Sequence, residues 1–336
     1  MNLTNITLEY LRLLRLQTIA ATALTPLIGS LIMGQRDISL LIILFLVGFL
    51  YHIYGFVLNE YIDVEVDKKS VDLKKKPLVR GIVPKGHALF IALLSCACVC
   101  LLTVYFFTSV LPILFLLFAI LLGGIYDVYG KKIPGSDFIL GLGFFFICLM
   151  GASTVSHDFT MLTYVVCSIY FVHIVFNNAV EGGLKDVDHD HLVGAKTLAT
   201  RMGVTVQSGR LKVTKTFAAF SCIIKIIFIG LIVLLSSQPE ISLSLSYKYA
   251  IQIVLIVFFA VIIFFTMYKF LHISIFDRSK LKRLFSVHEM SSYFMLIISL
   301  SPLIELWPTI FLIFFPFIWY ILFNFVLYGK LLQPQV

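Results

Sequence analysis

Two clusters of acidic residues carry the chemistry this chain can do. The stretch Asn59-Glu60-Tyr61-Ile62-Asp63-Val64-Glu65-Val66-Asp67 places Asn59, Asp63 and Asp67 at the spacing i, i+4, i+8. On a helix these side chains share one face, drifting by roughly 40° per step. The stretch Lys185-Asp186-Val187-Asp188-His189-Asp190-His191 repeats the i, i+4 spacing with Asp186 and Asp190. Two facing rows of carboxylates repel unless a cation lies between them. Hard oxygen donors that leave coordination incomplete suit Mg²⁺, which keeps waters and takes its remaining ligands from phosphate. Lys74, Lys75, Lys76, Arg80 and Lys196 follow the clusters closely enough to hold the outer phosphate oxygens. Such a constellation serves the ionisation of an allylic diphosphate. Metal and basic residues stabilise the leaving diphosphate, and a dry apolar cavity keeps the carbocation from water. A single cluster would read best as a solvated helix end. The same spacing at corresponding ends of two helices favours a shared site.

The elements that must position these residues follow from composition. Of 336 residues, 60% are hydrophobic and 13% charged, with a mean hydropathy of +1.01. Soluble proteins average about 45–50% apolar and about 25% charged residues. A soluble enzyme, a disordered chain and a nucleic-acid binder are therefore excluded, and an all-α polytopic membrane bundle remains. Runs long enough to cross hydrocarbon number ten: about 14–34, 38–58, 88–108, 110–127, 137–156, 160–181, 214–236, 248–271, 287–306 and 307–329. Only Leu306-Trp307-Pro308 divides the last two. No polar stretch between spans is long enough for a separate soluble domain, so residues 1–336 read as one transmembrane domain. The first acid cluster closes helix 2 and the second closes helix 6.

Charge distribution sets the expected orientation. The N-terminal tail, every even-numbered loop and the C-terminal tail together hold 22 of the 26 Lys and Arg, while the opposite side has Arg36 and Lys248 alone. This split places the N-terminus and the loops after both acid clusters in the cytoplasm. The net charge of +8 is thereby a topology signal, and nucleic acid is not an expected partner. The six cysteines, all inside apolar runs, read as packing residues. His189 and His191 read as solvated loop residues, and His173 and Lys225 as isolated polar residues without a role.

At the acid clusters the chain resembles the UbiA family of intramembrane prenyltransferases. Residues Asn59 to Asp67 resemble the family's NDxxDxxxD motif, with Glu60 in place of Asp. Asp186 to Asp190, continuing to Gly194-Ala195-Lys196-Thr197-Leu198 and Gly203, resembles the second motif. Lys76-Pro77 with Gly81 resembles an Arg-Pro…Gly segment, with Lys replacing Arg. Tyr126 with Lys131 and Lys132 resembles the Tyr and basic pair after helix 4. The resemblance covers about residues 13–305. The family commonly has nine spans, so a tenth at 307–329 would be an extra C-terminal helix.

The resemblance implies transfer of an isoprenyl chain from a polyprenyl diphosphate to a hydrophobic acceptor, with Mg²⁺ between the two Asp motifs. Asp63, Asp67, Asp186 and Asp190 would hold Mg²⁺-diphosphate, with Glu60 assisting and Asn59 orienting an oxygen. Lys76, Lys131 and Lys196 would contact the diphosphate. Tyr126 would face the developing cation with its π system. Asn177 and Asn178, about two turns before the second motif, would face the cavity, because unpaired amides against lipid are costly. Aromatic quinone precursors and the lipid precursor geranylgeranylglyceryl phosphate both fit as acceptors. A secondary transporter is the remote alternative. Its ionisable residues would lie near the bilayer midplane, whereas these acids lie at one rim.

Overall fold

The computed structural model describes residues 3–68, 72–242 and 247–331. In chain order its helices are α1 (Leu3–Leu13), α2 (Ile19–Ile32), α3 (Ile38–Asp67), α4 (Lys85–Phe106), α5 (Val110–Tyr129), α6 (Asp137–Ser153) and α7 (Met161–Val175). A π-helical segment (Phe176–Gly182) leads from α7 into α8 (Gly183–Val193) and the short α9 (Leu198–Arg201). A hairpin of β1 (Thr205–Gln207) and β2 (Arg210–Lys212) precedes α10 (Lys215–Ser236) and α11 (Pro239–Ser242). The last helices are α12 (Tyr247–Leu271), α13 (Arg278–Ile304) and α14 (Leu306–Tyr328).

All ten apolar runs form helices, but they differ in length. Among the described residues, eight helices are long and apolar enough to cross a membrane. The other two, Leu16–Ile32 and Asp137–Ser153, are apolar but shorter. At 1.5 Å per residue such helices reach roughly 25 Å, a little short of a hydrocarbon core about 30 Å thick. The final apolar stretch is two helices, divided at Glu305, whose φ of 69° interrupts helical geometry. Two helices also extend beyond their apolar runs. α3 continues through the first acid cluster to Asp67, and α13 begins at Arg278, where the Asp277 carboxylate accepts the Lys280 N–H at 3.0 Å. The amphipathic α1 was not anticipated from hydropathy, since its apolar residues alternate with polar ones.

The chain forms two compact units, one of residues Met1–Tyr129, Leu142–Asp158 and Phe314–Val336, the other of Gly130–Gly141 and Phe159–Ile313. In the first, Leu13, Leu16, Ile19, Ala23, Ile53 and Val57 build a core that Leu78, Val83, Ala88 and Leu327 complete. α2 and α6 approach through small residues. A Cβ on Gly151 would stand 2.7 Å from Pro26 Cα and closer still to its carbonyl, so only glycine allows this contact. In the second unit, α12 and α13 pack along their length and α10 packs on α7. The hairpin turns at Ser208 and Gly209, both with positive φ, and Leu211 N–H donates to Ser274 O at 2.9 Å.

Candidate active site

The first acid motif lies in the first unit, on the last two turns of α3. A Lys76 Nζ placed 2.7 Å from Asp67 Oδ2 and 3.0 Å from Glu60 Oε1 bridges two acids of the motif. Glu60 also pairs with Arg15. Burial opposes the Arg15 charge, but Glu60, by charge and hydrogen bond, raises the guanidinium above its ordinary pKa. Glu60, expected as a metal ligand, is thus held between two cations. Asn59 Nδ2 donates to Asp127 Oδ1 at 3.3 Å. Asp127 follows Tyr126 on α5, and both are half-buried. Asp63, one turn before Asp67, is half-buried, and Glu65 points outward to Lys68 Nζ at 3.0 Å.

The second acid motif lies in the second unit. Asp190 is 4% exposed, and its Oδ2 accepts the Thr197 hydroxyl at 3.1 Å. Gly194, in left-handed geometry at φ 68°, ends α8 and lets Ala195 N–H return to Asp190 O at 2.8 Å. The next residue, Lys196, donates its backbone N–H to Lys131 O at 2.9 Å. The loop after Asp190 thereby brings together the backbones of Lys131 and Lys196, two of the three lysines expected to meet diphosphate. Asp186 lies 3.4 Å from Lys185 Nζ and is more open. Asp188, between the two, instead pairs with Arg278 at 2.7 Å. His189 and His191 are not loop residues: both belong to α8, His189 is buried, and the His191 ring meets Val204 O at 2.8 Å.

The same unit holds a buried polar cluster for which hydropathy gave no signal. Lys225, on α10, is fully buried. Its ammonium lies 3.3 Å from Ser292 Oγ and 3.8 Å from the centre of the Phe176 ring. The carboxylates acting on it are Glu181, 2% exposed in the π segment, and Glu289 on α13. Phe176 stacks on His288 at 5.0 Å, and Asn177 Nδ2 approaches His173 Nε2 at 3.3 Å. Asn178 Nδ2 turns back to Ile174 O at 3.0 Å. Lys225 and His173, read as isolated, belong to one cluster assembled from α7, α10 and α13. Periodicity cannot reveal such a cluster, because its members lie far apart in the chain.

The donor set of each motif is one of carboxylate oxygens, without thiolate. Among the described residues no three His, Cys, Asp or Glu side chains form an all-protein cage. A few carboxylates in a motif suit a hard ion that takes its remaining coordination from phosphate, which is the habit of Mg²⁺.

The model of the UbiA prenyltransferase family matches residues 22–292. A digeranylgeranylglyceryl phosphate synthase of Saccharolobus solfataricus is 27% identical over 208 residues, covering 58% of this chain and 69% of that protein. A solved structure of digeranylgeranylglyceryl phosphate synthase is similar in fold, with a TM-score of 0.64 at 18% identity over 90% of this chain and all of that one. A UbiA homologue from Archaeoglobus fulgidus bound to DMAPP and Mg²⁺ aligns with a TM-score of 0.56 at 18% identity, over 70% of this chain and 81% of the other.

Proposed function

The chain belongs to the UbiA prenyltransferase family, and from that premise we propose that it is a Mg²⁺-dependent enzyme moving an isoprenyl chain from a polyprenyl diphosphate to a hydrophobic acceptor. The observation that carries this reading is the pairing of Asp63 with Asp67 and of Asp186 with Asp190 within one family match. These four acids would hold the metal, which when bound draws charge from the diphosphate oxygens and makes the group easier to expel. Lys131 and Lys196, whose backbones meet at 2.9 Å, neutralise the departing oxygens from their side. Lys76, set against Asp67 and Glu60, does the same, and Asn59 with Asp127 orients the donor. The bond from the allylic carbon to the diphosphate oxygen breaks, and its electron pair leaves with diphosphate. The acceptor nucleophile forms the new bond to that carbon and releases its proton to solvent. Tyr126 steadies the intervening positive charge with its ring.

Residues 1–336 work as one transmembrane domain in the cell membrane, with the N-terminus and both acid clusters on the cytoplasmic side. The acceptor is an aromatic quinone precursor or a lipid. The Saccharolobus relative, at 27% identity, favours the lipid alternative, geranylgeranylglyceryl phosphate. Purified protein given labelled geranylgeranyl diphosphate and a panel of acceptors tests the reading. Transfer to one acceptor class is expected, with loss in EDTA and recovery with Mg²⁺. A donor left intact with every acceptor would overturn the reading, and measured solute flux in its place would restore the transporter.

A further inference from the structure

The C-terminal helix α14 returns to the start of the chain. Arg12 donates Nε and Nη2 to the Leu327 carbonyl at 3.0 and 2.6 Å, and its guanidinium lies 5.4 Å from the Tyr328 ring centre. Trp319 Nε1 donates to the Leu16 carbonyl at 2.7 Å. This docking walls a cavity of about 280 Å³ into which Arg12, Arg15, Lys75, Lys76 and Arg80 bring positive charge. Among the described residues, the carboxylates paired with these cations are Glu9, Glu60 and Asp67. Glu9 meets Arg12 at 2.7 Å and Arg80 at 3.1 Å. Glu60 pairs with Arg15 and meets Lys76 at 3.0 Å, and Asp67 meets Lys76 at 2.7 Å. Five cations against three carboxylates leave a surplus of two positive charges around a partly enclosed space.

A second observation narrows what would fill it. Gln17 lines the same cavity, is 5% exposed, and its Oε1 has no partner among the described residues. A lone acceptor atom beside cations cannot serve a phosphate oxygen. It needs a donor, such as a hydroxyl carried by the same ligand, because an unmade buried hydrogen bond is costly. Two surplus charges match a phosphate monoester dianion, whose oxygens suit guanidinium forks. The volume is at the lower limit for small-molecule sites, so it admits a headgroup while an isoprenoid tail stays outside.

We propose that this cavity holds the head of the acceptor, a phosphate monoester with a hydroxyl a few bonds from phosphorus, and that α14 is part of the substrate site. The assignment rests on the prenyl-transfer reading and adds to it the residues that choose the acceptor. The full-length protein carrying Lys75→Gln with Arg80→Gln tests it, since both side chains are exposed. With a phosphate-bearing isoprenyl glycerol as acceptor, KM is expected to rise about ten- to hundredfold, from lost charged hydrogen bonds. The preference over the dephosphorylated acceptor should vanish. Gln17→Leu should raise acceptor KM without changing that preference. Glycerol phosphate should raise the Tm of the wild type but not of the double variant. An unchanged acceptor KM, in a protein that Asp190→Asn inactivates, overturns the acceptor site and leaves the family chemistry standing. Tm protection by phosphatidic acid vesicles that the double variant loses, with acceptor KM unchanged, would make this a membrane-lipid site and equally overturn the proposal. Loss of glycerol phosphate binding in a protein that transfers to no acceptor would overturn the functional reading and the acceptor role together.

Discussion

At the scale of single residues, Asp63 and Asp190, one from each i, i+4 pair, do different work from their neighbours. Asp63→Asn and Asp190→Asn each remove a charged oxygen while keeping shape. Each should lower kcat by ~10²–10³, as deletion of one preorganised electrostatic contact does. The folded yield should be little changed for Asp63, which is only half-buried. Glu65→Gln, whose carboxylate is exposed and pairs with Lys68, should leave kcat within about twofold. Steady-state rates at saturating Mg²⁺ check all three, and a fully active Asp63→Asn would remove the first acid pair from the mechanism. The spacing of Asp63, Asp67, Asp186 and Asp190 was legible in the sequence because a helix turns regular spacing into a shared face. Asp127 was not, since it ends a long apolar run and meets Asn59 across 68 residues of chain.

At the scale of elements, the π segment before α8 decides which way the second acid pair faces. A π turn takes one more residue than an α turn, so everything after it is rotated relative to an uninterrupted helix. Lys225 lies against the Phe176 ring at one end of that segment, and the charge of Glu181 near the other end acts on it. Lys225→Met would remove the ammonium that Ser292 Oγ and the Phe176 ring face and should cost about 1–3 kcal/mol, read as a lowered Tm in detergent. Lys225→Met with Glu181→Gln should recover part of that loss, and strict additivity would mean the two are not coupled. Gly151→Leu acts at another contact, where α6 meets the backbone of α2 at Pro26. Overpacking there should cost at least about 1–3 kcal/mol and appear as aggregation on size-exclusion chromatography. Hydropathy revealed every apolar helix, including the break now placed at Glu305. It could not reveal α1 or the π segment. The first has too little apolar length, and the second depends on tertiary contacts that no local period encodes.

At the scale of the whole molecule, the basic residues predict a sidedness that can be measured. An added cysteine at Ser208, in the hairpin turn, should react with an impermeant maleimide in inside-out vesicles, and one at Arg36 in right-side-out vesicles. Labelling is scored above the background of the six native free cysteines. Reaction of both from the same side would reverse or break the assigned topology. The docking of α14 on α1 also has a consequence for how the chain is made. The first unit joins residues before Tyr129 to residues from Phe314 onward, so it stays incomplete until those later residues have been made. At about 5–20 residues per second, that wait lasts on the order of tens of seconds. During it Arg12 and Leu16 have neither the Leu327 carbonyl nor the Trp319 indole to meet. A chain stopped before Phe314 is therefore not an enzyme short of one helix. It is a nascent intermediate that can never mature, and pulse-chase proteolysis should find its N-terminal helix still cleavable long after the full-length chain has become resistant.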